Sequence, residues 1–159
     1  MKEKEVNKNK KKMSKGTLLW VAVLLLIPII VFIYQYPKIK DFGTSGIFEQ
    51  TEVEMAAKEI ITLFGNQEYE VILEEHAGEQ LKKSAIASDF AQAYLGVAED
   101  WGALQEIGLI QLSEMKRPGG IYALAKAQVI HENVIVNYTL SFGKDMKFEG
   151  IYLEDAVQE

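Results

Sequence analysis

"YLGVAEDWGALQEIGLIQL", residues 94–112, is where the spacing of apolar residues changes period. Before it, Phe90/Ala91, Tyr94/Leu95, Val97/Ala98 and Trp101 recur at intervals of three and four, the stripe of a helix with one buried face. After Gly108 the apolar positions alternate, beginning with Ile110 and Leu112, as in a half-buried strand. Gly102 is placed to stop the helix, and "ALQEI" carries the chain from helix layer to sheet. Trp101, beside Glu99 and Asp100, is either the last core residue of that helix or an aromatic platform for a ligand. Its place on the Phe90–Tyr94–Val97 stripe favours burial. Whether it fills the core or walls a cavity stays open at this level.

Upstream of this stretch the pattern is helical. Thr51-Glu52-Val53-Glu54 reads as a capping box. Val53, Ala56, Ala57, Ile60, Ile61 and Phe64 follow at helical spacing, and Gly65-Asn66 ends the run. A short second helix over about 67–76 would bury Tyr69, Ile72 and Leu73 and stop at Gly78. The third starts near Ser84 or Ser88. Downstream the period is two. "RPGG" (117–120) is a turn. From Ile121 to Ile130 the small residues Ala123, Ala125 and Ala127 share one face, and Tyr122, Leu124 and Ile130 the other. "HEN" (131–133) and "GKD" (143–145) are further turns. Val134, Val136, Tyr138, Leu140 and Phe142 mark a strand, and Met146, Phe148 and Tyr152 close the pattern. The expected fold is therefore α+β: about three helices packed on one face of a four-stranded antiparallel sheet.

The region before residue 51 has a different character. Residues 18–34, "LLWVAVLLLIPIIVFIY", carry no charge. With Thr17, Gln35 and Tyr36 the apolar span reaches the ~20 residues needed to cross a bilayer. Trp20, Tyr34 and Tyr36 mark its ends as interfacial aromatics do. Residues 1–15 hold seven lysines against two glutamates, a net of +5. The positive-inside rule then keeps the N-terminus in the cytoplasm and the remainder outside. A cleaved signal peptide fits less well, because bulky and charged residues follow the span. The expected organisation is a basic tail (1–16), a transmembrane helix (17–36), a linker (37–50) and an extracytoplasmic domain (51–159).

Composition excludes several chemistries. With −6 overall, the chain after residue 15 carries −11, which disfavours nucleic acid as a partner. No cysteine is present, so thiolate catalysis, disulfides and cysteine-bound metals are absent. There is no Gly-x-Ser-x-Gly elbow and no glycine-rich phosphate loop. His131-Glu132 reads as a solvated turn. His76, beside Glu74 and Glu75, reads as a helix end favoured by the dipole when charged. The carboxylate pairs Glu74/Glu75, Glu99/Asp100 and Glu154/Asp155 read as a solvated acidic face rather than a hydrolytic dyad. Asn137-Tyr138-Thr139 matches a glycosylation sequon by chance, in mid-strand. Tyr94, Trp101, Tyr138 and Tyr152 are candidates to line a pocket, against the alternative of an ordinary core. No catalytic, cofactor-binding or metal-binding residue is assigned, and no cofactor is expected.

Three stretches carry a family resemblance: "FGNQEYEVILEEHAGEQLKK", "WGALQEIG" and "GIYALAKAQVIHENVIVNYTLSFGKDMKFEGIYLED". Over roughly residues 53–155 the chain resembles domain of unknown function 3887, found in secreted and membrane-anchored proteins, mostly of Gram-positive bacteria. The resemblance implies a cystatin-like, nuclear-transport-factor-2-like roll. It implies no activity. More loosely, the topology resembles membrane-anchored scaffolds of conjugation and type IV secretion machines. The expected function is a membrane-anchored binding or interaction domain for a protein partner or cell-wall component. A scaffold subunit and a small-ligand binder or enzyme using the roll cavity are the alternatives. Ligand and oligomeric state are not read from the sequence.

Overall fold

The structure, a computed structural model, describes residues 36–156. The expected basic tail and, but for Tyr36, the expected span lie outside the described residues. Among the described residues no helix is long and apolar enough to cross a membrane. The chain divides into two compact units, residues 1–36 and 37–159, and the second is described here.

Its elements are β1 (Lys38–Asp41), α1 (Gln50–Gly65), α2 (Tyr69–Val71) running into a π-helical turn (Ile72–His76), α3 (Glu79–Ser84) and α4 (Ala87–Val97). The strands β2 (Leu104–Ile107), β3 (Gln111–Arg117), β4 (Gly120–His131), β5 (Ile135–Phe142) and β6 (Phe148–Asp155) follow. All six strands form one antiparallel sheet in the order β1-β3-β4-β5-β6. β2 also pairs β4, along the side that β3 occupies.

This corrects the expected four strands and about three helices: among the described residues the fold is a sheet-rich α+β with six strands and four α-helices. The two additional strands lie where the hydrophobic pattern is weakest. β1, "KIKD", has one apolar residue and all four positions exposed, and it falls in the expected linker. Its partner makes it a strand: Lys38 to Asp41 pair with Lys116 to Ser113. β2 is the expected connector "ALQEI", recruited by the far end of the long β4. The third expected helix is α4, starting at Ala87, and α3 is an additional short helix between it and Gly78. The capping box at Thr51 does not form, because α1 begins one residue earlier at Gln50 and places Thr51 inside the first turn.

The core lies between α1, α4 and one sheet face. Val53, Ala57, Ile60, Ile61 and Phe64 of α1 are buried against Ala123, Ala125, Ala127 and Val129 of β4 and Val136, Tyr138, Leu140 and Phe142 of β5. Burying each large apolar side chain favours folding by roughly 1.5–3 kcal/mol. The alanines leave room for α1 to approach the sheet. β5 alternates buried and half-buried residues without exception, so its two faces have separate roles.

Two β-bulges shape the β2–β3 side. Ile107 pairs with Val129 and Gln111 with Lys126, which leaves one residue in excess between them. Gly108 and Leu109 together oppose Gln128, and the Gly108 N–H donates to the Gln128 carbonyl at 2.9 Å. Leu109 is turned out to 84% exposure. A second irregularity falls between Leu104 and Glu106.

Candidate functional site

The interior was the first candidate, and it is packed with side chains. α4 ends at Val97, so Trp101 is not its last residue as the stripe suggested. The chain instead doubles back. The indole stacks on Tyr94 at 4.2 Å between ring centres and 13° between planes. Its Nε1–H donates to the Tyr94 carbonyl at 3.1 Å, and the Trp101 backbone N–H donates to the Tyr94 hydroxyl at 2.9 Å. Phe64, His131 and Tyr138 surround it at 5.0–6.1 Å between ring centres. Trp101 is 0% exposed. It fills the core and needs no ligand. Gly102, at φ +68°, lets the chain turn out of this fold-back, with its N–H on the Asp100 carboxylate.

His131 is not in a solvated turn. β4 runs one residue further than the polar triplet suggested, and the turn is only Glu132-Asn133, closed by the His131 N–H on the Val134 carbonyl. The imidazole is 3% exposed, with Nε2 3.5 Å from the Tyr138 hydroxyl and Nδ1 without a hydrogen-bond partner. Burial lowers its pKa below the ordinary histidine value, and the Gly102 backbone offsets this only in part. Nearby, the Tyr69 hydroxyl is buried without a partner, and its pKa is pushed up to about 12 by burial and then by Tyr94. The Tyr138 hydroxyl is also raised, chiefly by burial. These are neutral groups within a core, with two polar atoms, the Tyr69 hydroxyl and His131 Nδ1, lacking partners.

The other expectations resolve residue by residue. Of the four aromatics proposed for a pocket, Tyr94, Trp101 and Tyr138 come together in the core. Tyr152 stands on the opposite sheet face, 61% exposed. Glu74, Glu75, Glu99, Asp100, Glu154 and Asp155 are exposed. His76 ends the π turn and faces Glu59, with 3.8 Å between Nε2 and Oε1. Among the described residues no cluster of His, Asp or Glu is placed to hold a metal ion. One residue had no signal in the sequence. Glu114 of β3 lies on the core face, 2% exposed, and its carboxylate accepts N–H bonds from Gly43 at 3.0 Å and Ser45 at 2.9 Å. It ties the turn after β1 to the sheet.

The face away from the helices carries a trough of about 540 Å³. Register builds it. One row runs across four strands as Gln111–Lys126–Thr139–Tyr152, and a second across three as Gln128–Asn137–Glu154. The bulge residues Gly108 and Leu109 and the neighbouring Glu106 form its wall. The Gln128 amide donates to the Asn137 carbonyl oxygen at 3.5 Å. The Tyr152 hydroxyl donates to Glu154 at 2.9 Å, and this bond raises the Tyr152 pKa. Among the described residues no carboxylate lies within ion-pair distance of the Lys126 ammonium. The trough thus offers carboxamides, a hydroxyl, carboxylates and one free ammonium, and the exposed Tyr152 ring stands beside it at the end of the first row. These groups can bind by hydrogen bonding and stacking. None is arranged as a nucleophile activated by a base.

No family profile matches the chain, and no curated protein matches it. A solved structure does: the NMR structure of a protein from Ruminococcus gnavus ATCC 29149, with a TM-score of 0.61 and 22% identity. The match covers 72% of this chain and 98% of that one. At that identity the likeness is one of fold.

Proposed function

We propose that the chain is a single-pass membrane protein that displays this α+β domain on the outer surface as a non-catalytic binding module. The trough on the open sheet face is its contact surface. The observation that carries the reading is the pair of in-register rows, which put carboxamide, hydroxyl and charged side chains on the sheet face away from the helices. The uncharged stretch 18–34 behind a lysine-rich tail supports the membrane anchor and its orientation. The kinship with domain of unknown function 3887, resting on the residues quoted above, belongs to the same proposal.

The test has two parts. An exported reporter fused after residue 159 should be active and a cytoplasmic reporter silent; the reverse overturns the topology. A photo-crosslinking residue in place of Gln128 should capture a macromolecule in intact cells. The same residue at Leu95, on the helix side, should not. Equal capture at both positions, or none at Gln128, overturns the trough as the contact surface.

A further inference from the structure

Resting on that reading of the trough, we propose that its ligand is a neutral glycan chain.

The donor and acceptor pattern points there. A sugar hydroxyl both donates and accepts, and it is best met by groups that do the same. Gln111, Gln128 and Asn137 each present an amide N–H₂ and a carbonyl oxygen side by side, and Thr139 a hydroxyl. Glu106 and Glu154 accept, and Lys126 donates. An apolar helix would find little here, since Leu109 and Ile130 are the main apolar side chains along the trough. An added strand would seek a sheet edge, not this face.

Tyr152 adds the second element. Its ring closes the first row and is 61% exposed, while its hydroxyl is tethered to Glu154. A ring held by its own hydroxyl is a fixed flat surface. The C–H face of a pyranose packs on such a surface by dispersion, with little rotamer freedom left to lose.

Spacing and charge narrow the class. Neighbouring strands stand ~4.8 Å apart, so a four-strand row spans about 14 Å. That suits successive sugar units lying across the strands. The trough holds two carboxylates against one ammonium, and the chain beyond residue 15 carries −11. A polyanion would be repelled along its whole length, whereas an uncharged glycan pays no such penalty.

The experiment is calorimetric titration of the full chain in lipid nanodiscs with neutral hexasaccharides: chito-, cello- and maltohexaose. Dextran sulfate is the polyanionic control. At least one neutral hexasaccharide should bind, with little dependence on salt, and dextran sulfate should not. Tyr152→Ala should weaken binding by roughly tenfold, through the lost stacking surface. Asn137→Ala should weaken it by a smaller factor. An unchanged near-ultraviolet signal from the buried Trp101 confirms that both variants are folded. No binding to any of the three, or binding that both variants leave unchanged, overturns the proposal. Crosslinking from position 128 separates this from the broader reading. A protein adduct without glycan binding sinks the glycan and leaves the contact surface standing; no adduct and no glycan binding sinks both.

Discussion

Tyr138 and its neighbours Asn137 and Thr139 sit side by side in β5, yet they belong to two different molecules in a physical sense. Tyr138 is 1% exposed and packed among aromatic rings; Asn137 and Thr139 are half-exposed in an open trough. Alternation in one strand separates a face that holds the fold from a face that is free to bind. The covered face is filled by side chains, so no cavity is needed to explain Trp101. The open face has polar groups that no packing requires. Function is therefore better sought on the side of the sheet that contributes least to stability.

That separation can be broken experimentally, and the largest effect should come from the covered face. Trp101→Ala should cost about 3–5 kcal/mol, as expected for truncating a large, fully packed aromatic. Chemical denaturation measures it, and a loss below about 1 kcal/mol would mean the site is not the packed core described here. Glu114→Ala should cost about 1–3 kcal/mol, because two N–H groups lose a charged acceptor. Hydrogen exchange should show the amides of residues 38–45 opening first; uniform exchange would show that β1 is held by its ladder alone.

A smaller effect should follow from pH. The folded pKa of His131 lies below its ordinary value of 6.5, so the unfolded chain binds the extra proton more readily. This contribution is complete above about 6.5 and is lost as pH falls through that value toward the folded pKa. His131→Phe should flatten the acid side of the stability profile. An unchanged slope would mean that the imidazole titrates as if exposed. The smallest effect should come from the open face: Tyr152→Ala should change stability by no more than about 0.5 kcal/mol. A larger loss in thermal unfolding would erase the distinction between the two faces.

Much of this arrangement was written in the spacing of residues. The α1 stripe and the alternation of β4 and β5 are repeated many times over, and each repetition argues for the same face; in β6 a register shift beside Phe148 puts Tyr152 on the opposite face from it. What escaped the sequence depended on partners elsewhere in the chain. β1 has one apolar residue and becomes a strand only because β3 offers an edge. Glu114 looks like any surface acid until the turn at Gly43 and Ser45 folds over it. His131 sits in a triplet with the composition of a turn, and only the length of β4 shows that it points inward. Trp101 was placed in the core by periodicity, but its route there is a fold-back that no helical spacing describes. The trough was the least visible feature. Its residues lie on five strands and meet only once register is set, so no short motif marks them.

The bulge at Gly108 and Leu109 carries one consequence of its own. The ladder on either side of it differs by a single residue: Ile107 faces Val129, and Gln111 faces Lys126. Remove that one residue and β2 and β3 would join into one uninterrupted strand, every inward side chain still inward. Gln111 would still lie opposite Lys126. Only the raised wall would be gone. The shape of the open face is thus set by counting, not by composition: one surplus residue in a loop of sequence decides whether the sheet is a flat plate or a dish.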